Sequence, residues 1–287
     1  MGLASVVIPV YNEEAAIKDD LETIIRVMEE SGIDHEVLVV DDGSTDRTVE
    51  IVRQFSCVRL VQHPYNQGTG AATKTGIRHA KGDIVIMTDG DGTYPNQDMP
   101  RLLSYMKDYD MVVGARVREA GTVPWLRTPA KAFIRLLASY MAGVKIPDLN
   151  SGLRCFRKEV AERFFGILPA GHSWVSTITL AYLSNGYTVK YVPIEYYPRR
   201  GKSSFHPFSD TYNYLSLVVR TIMYFDPLKV FLPVSLLLLL AGGAKLVRDL
   251  LFFVDLHIPT STVVIILSGF QIGALGLLAD LIVKRSK

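Results

Sequence analysis

The chain has 287 residues, of which 48% are hydrophobic and 21% charged, and its net charge is +2. This composition excludes an intrinsically disordered or collagen-like chain, and the small net charge argues against a partner that is a nucleic acid. The two cysteines, Cys57 and Cys155, are too few for a disulfide framework and fit a reducing compartment. Met1 leads directly into strand-like sequence, so we expect no signal peptide.

Short apolar runs alternate with helical patterns through the first part of the chain. The apolar runs predict strands at 5–10, 36–41, 58–62, 83–88 and 111–114. The intervening patterns predict helices at 12–31, 45–55 and 68–80. This alternation predicts an α/β fold, a Rossmann-like and mainly parallel sheet covered by helices on both faces. Ligands of such sheets bind beyond the carboxyl ends of the strands, where polar clusters lie in this sequence.

Two long apolar stretches end the chain. Residues 230–244 and 256–279 contain no formally charged side chain, and with their flanks they predict two transmembrane helices at about 228–254 and 261–283. Lys229 precedes this hairpin, and Lys284, Arg285 and Lys287 follow its second helix. Basic residues at both ends predict a cell-membrane protein whose large domain is cytoplasmic. The alternative is a pair of buried core helices.

The remaining chain is divided by its charge and apolar patterns. We expect a catalytic domain at 1–204 and a juxtamembrane interfacial helix at 205–227, for which the alternative is an amphipathic helix packed on the domain. Basic residues concentrate at 116–145 and 190–202. Arg127, Lys131 and Arg135 are four residues apart, which places them on one face of an amphipathic helix predicted at about 127–142. Such a face suits an anionic membrane surface and a phosphate, although it can also be simply solvated.

Carboxylates follow two of the predicted strands. Asp89 and Asp91, separated by Gly90, come directly after the fourth strand and could hold a hard cation such as Mg²⁺ or Mn²⁺. Asp42 ends the second strand, where a fixed carboxylate could accept hydrogen bonds from a nucleobase or ribose. The alternative for Asp42 is a turn that leads into the next helix. Residues 66–70, NQGTG, lack the full dinucleotide-binding pattern and predict a helix start.

The order of the motifs is specific as a set. Residues 7–13 (VIPVYNE), 39–46 (VVDDGSTD) and 88–92 (TDGDG) resemble the GT-A, family 2 inverting glycosyltransferases. Residues 114–116 (GAR), 148–152 (DLNSG) and 200–203 (RGKS) resemble the polyprenyl-phosphate branch of that family, which includes dolichol-phosphate mannose synthases and undecaprenyl-phosphate glucosyltransferases. The resemblance covers about residues 4–206, and members of this branch also have a two-helix tail.

The resemblance implies roles for individual residues. The nucleotide-sugar site would be lined by Pro9, Tyr11, Glu13, Val40, Asp42, Asp89, Gly90 and Asp91. The residues at the reacting groups would be Asp89, Asp91, Arg116 and Arg200, with Mg²⁺ or Mn²⁺ held by Asp89 and Asp91. The acceptor phosphate would meet Arg116, Arg127, Lys131, Ser151, Arg200, Lys202 and Ser203.

Two positions depart from the branch. Thr93 stands where mannose synthases commonly have Gln, and it could reach the metal directly or through water. Ser204 stands where the branch often has Lys, a role that Lys202 could take over.

The expected activity is therefore transfer of a sugar from a UDP- or GDP-linked donor to polyprenyl phosphate, with inversion. A phosphate acceptor is already anionic at neutral pH, which agrees with the lack of an obvious general base in the sequence. One alternative is a membrane glycosyltransferase with a non-phosphate acceptor, such as a glycan hydroxyl or a glycolipid. Another is a membrane protein that only senses nucleotides. A homo-oligomer is left open, and two helices are too few for a translocation path, so flipping of the product would need a separate flippase.

Overall fold

The computed structural model describes residues 2–117, 139–140, 143–171, 173–199, 223–224, 226–252 and 258–285. The chain forms two compact units, Met1–Val218 and Val219–Lys287, each of which is described by itself. The amphipathic helix predicted at 127–142 lies outside the described residues except for 139–140. Most of the interfacial helix predicted at 205–227 also lies outside them.

The first unit contains a seven-stranded sheet with the strand order β3-β2-β1-β4-β6-β5-β7. The strands are β1 (Ala4–Val10), β2 (His35–Asp41), β3 (Val58–Gln62), β4 (Ile84–Met87), β5 (Met111–Arg116), β6 (Arg154–Arg157) and β7 (Val189–Ile194). All are mutually parallel except β6, which lies antiparallel between β4 and β5. The predicted α/β fold with a mainly parallel sheet is confirmed.

Helices cover both faces of this sheet. They are α1 (Ile17–Glu30), α2 (Thr48–Val52), α3 (Thr69–His79), α4 (Met99–Ser104), α5 (Lys158–Arg163) and α6 (Trp174–Ser184). Buried residues of α1 and α4 share one apolar cluster with Ile8 and Val39, whereas those of α3, α5 and α6 share a second cluster with Val7 and Val40. Neighbouring residues of β1 and β2 therefore point to opposite faces, as expected for strands buried on both sides.

Two features of the fold differ from the sequence-based expectation. The helix predicted at 45–55 is reduced to Thr48–Val52, because Ser44, Thr45 and Asp46 form hydrogen bonds with the loop that follows β1. Strands β6 and β7 are not among the predicted strands. Four-residue β6 begins and ends with an arginine, so its sequence carries no apolar run, although the side chain of Arg154 is fully buried.

The second unit is a helical hairpin of α7 (Leu228–Phe252) and α8 (Thr260–Arg285). Both helices are long and apolar enough to cross a membrane, with a mean hydropathy of 2.1, in agreement with the predicted hairpin. Glycines bring the two backbones together: a Cβ on Gly269 would lie 2.9 Å from Leu239, and one on Gly276 would lie 2.6 Å from Phe231. At the other end, Lys245 Nζ contacts Asp249 Oδ2 at 2.8 Å and Thr262 Oγ1 at 2.7 Å.

Candidate active site

The loops that follow β1 and β2 hold each other at the carboxyl edge of the sheet. The backbone N–H of Asn12 donates to Ser44 Oγ at 2.9 Å, and that of Thr45 donates to Asn12 Oδ1 at 2.8 Å. Asn12 adopts a positive φ of 56°, which asparagine tolerates better than most residues. Tyr11 is left 43% exposed beside these loops, whereas Pro9 is buried within β1. Of these two candidates for the nucleotide site, Tyr11 alone presents its side chain to solvent.

Hydrogen-bond donors surround Asp42, and apolar side chains surround Val40. Both carboxylate oxygens of Asp42 are engaged: Oδ1 contacts His63 Nδ1 at 2.8 Å and accepts from Gln67 N–H, while Oδ2 accepts from Gly68 N–H at 2.8 Å. Val40 is fully buried among apolar side chains. Side chains alternate along β2, so residues 38 and 40 face α3, and Asp42 lies towards the loop that begins α3. Asp42 therefore anchors that loop, and the Val40 side chain packs in the core.

Asp91 and Thr93 lie together in the turn after β4. Thr93 is fully buried, and its hydroxyl and its backbone N–H both donate to Asp91 Oδ1, at 2.5 and 3.2 Å. Gly90 is confined by the apolar core, since a Cβ there would lie 2.9 Å from Ile17 and from Val10. The turn therefore requires glycine at this position, and the Thr93 hydroxyl orients one oxygen of Asp91.

The carboxylate of Asp20 in α1 stabilises this turn by hydrogen bonds. Buried Asp20 accepts from the Gly92 N–H and from Asn96 Nδ2, each at 2.9 Å. Asn96 Oδ1 accepts in turn from the Thr88 hydroxyl at 2.8 Å. Both ends of the Asp89–Asp91 segment are thus tied to the same buried network.

We expect Asp20→Ala to loosen the turn, because it leaves two buried donors without their acceptor. The concentration of Mn²⁺ needed for half-maximal activity should rise by roughly tenfold, corresponding to about 1.4 kcal/mol of lost positioning, and kcat at saturating Mn²⁺ should fall less. Asp19→Ala, which removes an exposed carboxylate from the same helical turn, is the matched control. An equal change in both variants would contradict a role for Asp20 in holding the turn.

Asp89 differs from Asp91 in having a free carboxylate. Within the part of the chain that the structure describes, it makes no hydrogen bond or ion pair. Desolvation and the neighbouring Asp91 raise its pKa to about 7, against the opposing effect of Arg199. Gly152 packs directly on it, since a Cβ there would lie 2.6 Å from Asp89 Oδ2. Because Asp89 is partly exposed and unbonded, its oxygens are available to a ligand.

Arg199 is a site residue that sequence reasoning missed. Its guanidinium forms an ion pair with Glu13, and its Nε lies 3.6 Å from Asp91 Oδ2. Desolvation is the largest effect on Glu13 and raises its pKa to about 7, despite the opposing charge of Arg199. The sequence singled out Arg200, which lies outside the described residues. Two adjacent arginines in a loop carry the same sequence signal, and the structure describes the contacts of Arg199.

Arg116 lies at the same edge, at the end of β5, but its charge is already paired. Its Nε and Nη2 contact Asp148 Oδ2 and Oδ1 at 2.7 and 2.9 Å. Its guanidinium also lies over the Tyr196 ring, 5.1 Å from the centroid. Burial disfavours a charged Asp148, but the hydrogen bonds and charge of Arg116 outweigh this and lower the pKa of Asp148. The predicted phosphate contact of Arg116 would therefore have to be made from within this ion pair.

Ser151 belongs to a buried polar cluster around Arg154. The Arg154 guanidinium is fully buried and donates to neutral acceptors: the Ser151 carbonyl, the Val175 carbonyl and the Thr179 hydroxyl. Desolvation lowers its pKa to about 10. The Ser151 hydroxyl is buried without a hydrogen-bond partner among the described residues. A buried cation thus holds the Ser151 carbonyl, and the Tyr94 hydroxyl accepts from the N–H of Gly152, which packs against Asp89.

The other predicted phosphate ligands lie outside the described residues: Arg127, Lys131, Arg200, Lys202 and Ser203. The described residues contain no group of three or more His, Cys, Asp or Glu side chains arranged to hold a metal ion. Asp89 and Asp91 fit the other arrangement that Mg²⁺ uses, in which one or two carboxylates share the ion with waters and substrate phosphates.

Fold and site together define a GT-A type sheet with a carboxylate pair at its carboxyl edge. Glucosyl-3-phosphoglycerate synthase from Mycobacterium tuberculosis, solved with Mn²⁺, UDP-glucose and phosphoglyceric acid, has this fold. Its TM-score is 0.61 at 20% identity, over 77% of this chain and 80% of that one.

The chain belongs to glycosyl transferase family 2, whose model matches residues 5–165, and the GtrB C-terminal hairpin matches residues 226–284. Dolichyl-phosphate hexose transferase from Haloferax volcanii is 33% identical over 207 residues, which are 71% of this chain and 87% of that protein. Undecaprenyl-phosphate 4-deoxy-4-formamido-L-arabinose transferase from Edwardsiella ictaluri is 35% identical over 161 residues, 54% of this chain. The match spans about half the length of that relative, 49%.

Proposed function

We propose that the protein transfers a hexose from a UDP- or GDP-linked donor to a polyprenyl phosphate, of the dolichyl or undecaprenyl type, at the cytoplasmic face of the cell membrane. The observation that carries this proposal is the unbonded Asp89 carboxylate beside Asp91, at the carboxyl edge of a family 2 sheet. The names of two relatives, a dolichyl-phosphate hexose transferase and an undecaprenyl-phosphate arabinose transferase, support the choice of acceptor.

A phosphate acceptor suits the chemistry of this site. The second pKa of a phosphate monoester is about 6, so the nucleophile is already ionised at neutral pH and needs no general base. A lipid phosphate oxygen forms a bond to the anomeric carbon while the bond from that carbon to the donor diphosphate breaks. The electron pair leaves with the nucleoside diphosphate, and an α-linked donor gives a β-linked product. What the protein supplies is orientation and positive charge.

The carboxylates provide for a divalent cation. Asp89 and Asp91 would hold Mg²⁺ or Mn²⁺, which when bound would offset negative charge on the leaving diphosphate. The Thr93 hydroxyl already donates to Asp91, and we assign it the orientation of that carboxylate. The Mn²⁺ and UDP in structures of the mycobacterial synthase support this assignment.

Charged and aromatic groups lie around the proposed binding site of the donor diphosphate. Arg199 contacts both Glu13 and Asp91, and we assign it a phosphate-facing role beside the one predicted for Arg200. Arg116 would supply a second positive charge at this edge. Exposed Tyr11 would contact the nucleoside together with the main chain after β1 and β2.

The hairpin would keep this site next to its lipid. Lys229 lies near the start of α7, and Lys284 and Arg285 end α8; in a hairpin that crosses the membrane, these basic residues would lie on the cytoplasmic side. The acceptor phosphate could then enter the site while its polyprenyl chain stays in the bilayer. Two helices leave no room for a path across the membrane, so a separate protein would flip the product.

The test is release of nucleoside diphosphate from a panel of UDP- and GDP-sugars. The full-length protein would be reconstituted in vesicles with Mn²⁺ and polyprenyl phosphate. We expect release from one donor, and we expect it to fall to background when polyprenol replaces the phosphate. Equal release with polyprenol, a glycan or diacylglycerol would contradict a phosphate acceptor and indicate that a general base is needed. Nucleotide binding without any turnover would contradict an enzyme of this class.

A further inference from the structure

Gln271 is a polar side chain at the middle of α8. The helix runs from Thr260 to Arg285 and is otherwise apolar through its central turns. Gln271 is exposed on the surface of the hairpin, and it makes no hydrogen bond within the described residues. In a hairpin that crosses a membrane, this position lies near the centre of the hydrocarbon, where an unsatisfied amide is costly.

Other polar side chains of the hairpin have partners within it. The Ser235 hydroxyl donates to the Gly269 carbonyl at 2.8 Å. Asp249 contacts Lys245 and Thr262, and Asp280 contacts Lys284 at 2.8 Å. A half-buried serine such as Ser268 can return its hydrogen bond to a carbonyl of its own helix. The amide of Gln271, with two donor hydrogens and one acceptor oxygen, cannot be satisfied in this way.

Among the described residues of the hairpin, no hydrogen-bond partner for the Gln271 amide lies at the same depth. Gly269 packs against Leu239 and Gly273 against Ser235, so Gln271 is level with Leu237 of α7. The exposed side chains of α7 around that level are Leu236, Leu237 and Leu240, all apolar. A partner for the amide must therefore come from outside this hairpin.

We propose that Gln271 is the centre of an interface between two copies of this hairpin, in which the two Gln271 amides hydrogen-bond to each other. Two copies inserted in the same direction place Gln271 at the same depth, related by a two-fold axis along the membrane normal. A side-chain amide is self-complementary, because the carbonyl of each copy accepts from the N–H of the other. A second copy of this chain therefore provides a hydrogen-bonding partner that is both at the same depth and complementary to the amide.

The face of α8 around Gln271 carries both small and large side chains. Ser268 and Ala274 lie three residues before and after it, and exposed Leu267 and Leu275 lie four residues before and after it. Small side chains next to a hydrogen-bonding one are typical of helix–helix interfaces in membranes. The glycines of α8 pack against α7, so the second copy would meet the opposite side, which carries Gln271 among exposed leucines. This inference rests on the hairpin crossing a membrane and is independent of the sugar-transfer reaction.

Cross-linking tests the interface while Gln271 is kept. Cys57 is exposed and Cys155 is buried, so Cys57→Ser gives a background without an accessible thiol. In full-length protein in vesicles, we expect Ala274→Cys to form disulfide-linked dimers on oxidation. Val234→Cys is the depth-matched control, since Val234 is exposed on α7 next to the level of Gly273. The Val234→Cys variant should form disulfide-linked dimers at least about fivefold more slowly than the Ala274→Cys variant, because α7 lies away from the proposed interface.

A second substitution ties the contact to the amide. Gln271→Met keeps the length of the side chain and removes its hydrogen bonds. It should weaken association of labelled full-length protein, measured by energy transfer at decreasing protein-to-lipid ratio, by roughly tenfold. Leu237→Met should leave association unchanged. Monomeric wild-type protein at all ratios, equal cross-linking at 274 and 234, or unchanged association of Gln271→Met would each overturn the proposal. Cross-linking in native membranes only to a different protein would overturn the second copy as the occupant.

Discussion

Asp89→Asn is expected to reduce sugar transfer by about a thousandfold or more while the protein remains folded. The substitution removes one of two charged oxygen ligands proposed for the divalent cation, and losses of this size are typical when charge stabilisation at a reacting phosphate is removed. The Asp89 carboxylate makes no hydrogen bond or ion pair with the described residues, so replacing it with the isosteric Asn breaks none. Transfer rates and Mn²⁺ binding followed by electron paramagnetic resonance would measure both effects.

The same variant has a predictable effect on stability. The pKa of Asp89 is raised to about 7 in the folded protein, so ionisation of this group reduces stability as pH rises from about 4 towards 7. Asn cannot ionise, and we expect Asp89→Asn to have the greater free energy of unfolding above about pH 7. Asp83→Asn, at the exposed opposite end of β4, is the control and should keep full activity. An Asp89→Asn enzyme with the wild-type rate would show that the carboxylate pair does not hold the metal.

Asp148→Ala is expected to lower the free energy of unfolding by about 3 kcal/mol, because it removes a bidentate counter-charge from the mostly buried Arg116 guanidinium. The two side chains are only 13% and 9% exposed, and the pair is bidentate. Urea unfolding of the full-length protein in detergent, followed by fluorescence of the buried Trp174, would measure the loss. Activity should fall as well, since Arg116 would no longer be held in place.

An exposed ion pair provides the matched comparison. Glu159 and Arg163 lie one turn apart on α5, with exposed fractions of 79% and 58%, and Glu159→Ala should cost about 0.5 kcal/mol or less. The lowered pKa of Asp148 also gives a pH dependence. Its stabilising contribution is complete above the unfolded pKa near 4 and is lost as pH falls through the lower folded value. A loss from Asp148→Ala as small as that from Glu159→Ala would contradict a buried pair.

The carboxylate pair could be predicted because its signal is local. An apolar strand followed at once by Asp89 and Asp91 specifies an edge of the sheet, and no distant residue is needed to place it there. The hairpin is equally local, since length and apolar composition define each helix. The bounds of α7 and α8 lie within two or three residues of those predicted.

Asp42, Arg199 and β6 could not be predicted, because their places depend on distant partners. A carboxylate after β2 has the same local pattern whatever its partners are, and Asp42 contacts His63 and the Gly68 N–H, 21 and 26 residues further along the chain. The place of Arg199 depends on its ion pair with Glu13, which is remote in sequence. Strand β6 is short, and its position rests on pairing with β4 and β5.

The position of β6 has a consequence for the order of folding during synthesis. Strands β3, β2, β1 and β4 are contributed by the first 87 residues and can pair as they emerge, but β4 keeps an open edge until Arg154–Arg157 arrive. Strand β5 has no bonded neighbour before β6 and β7, so the second half of the sheet assembles late, through contacts distant in sequence. All seven strands precede Leu228. The sheet can therefore close before the first helix of the hairpin is made.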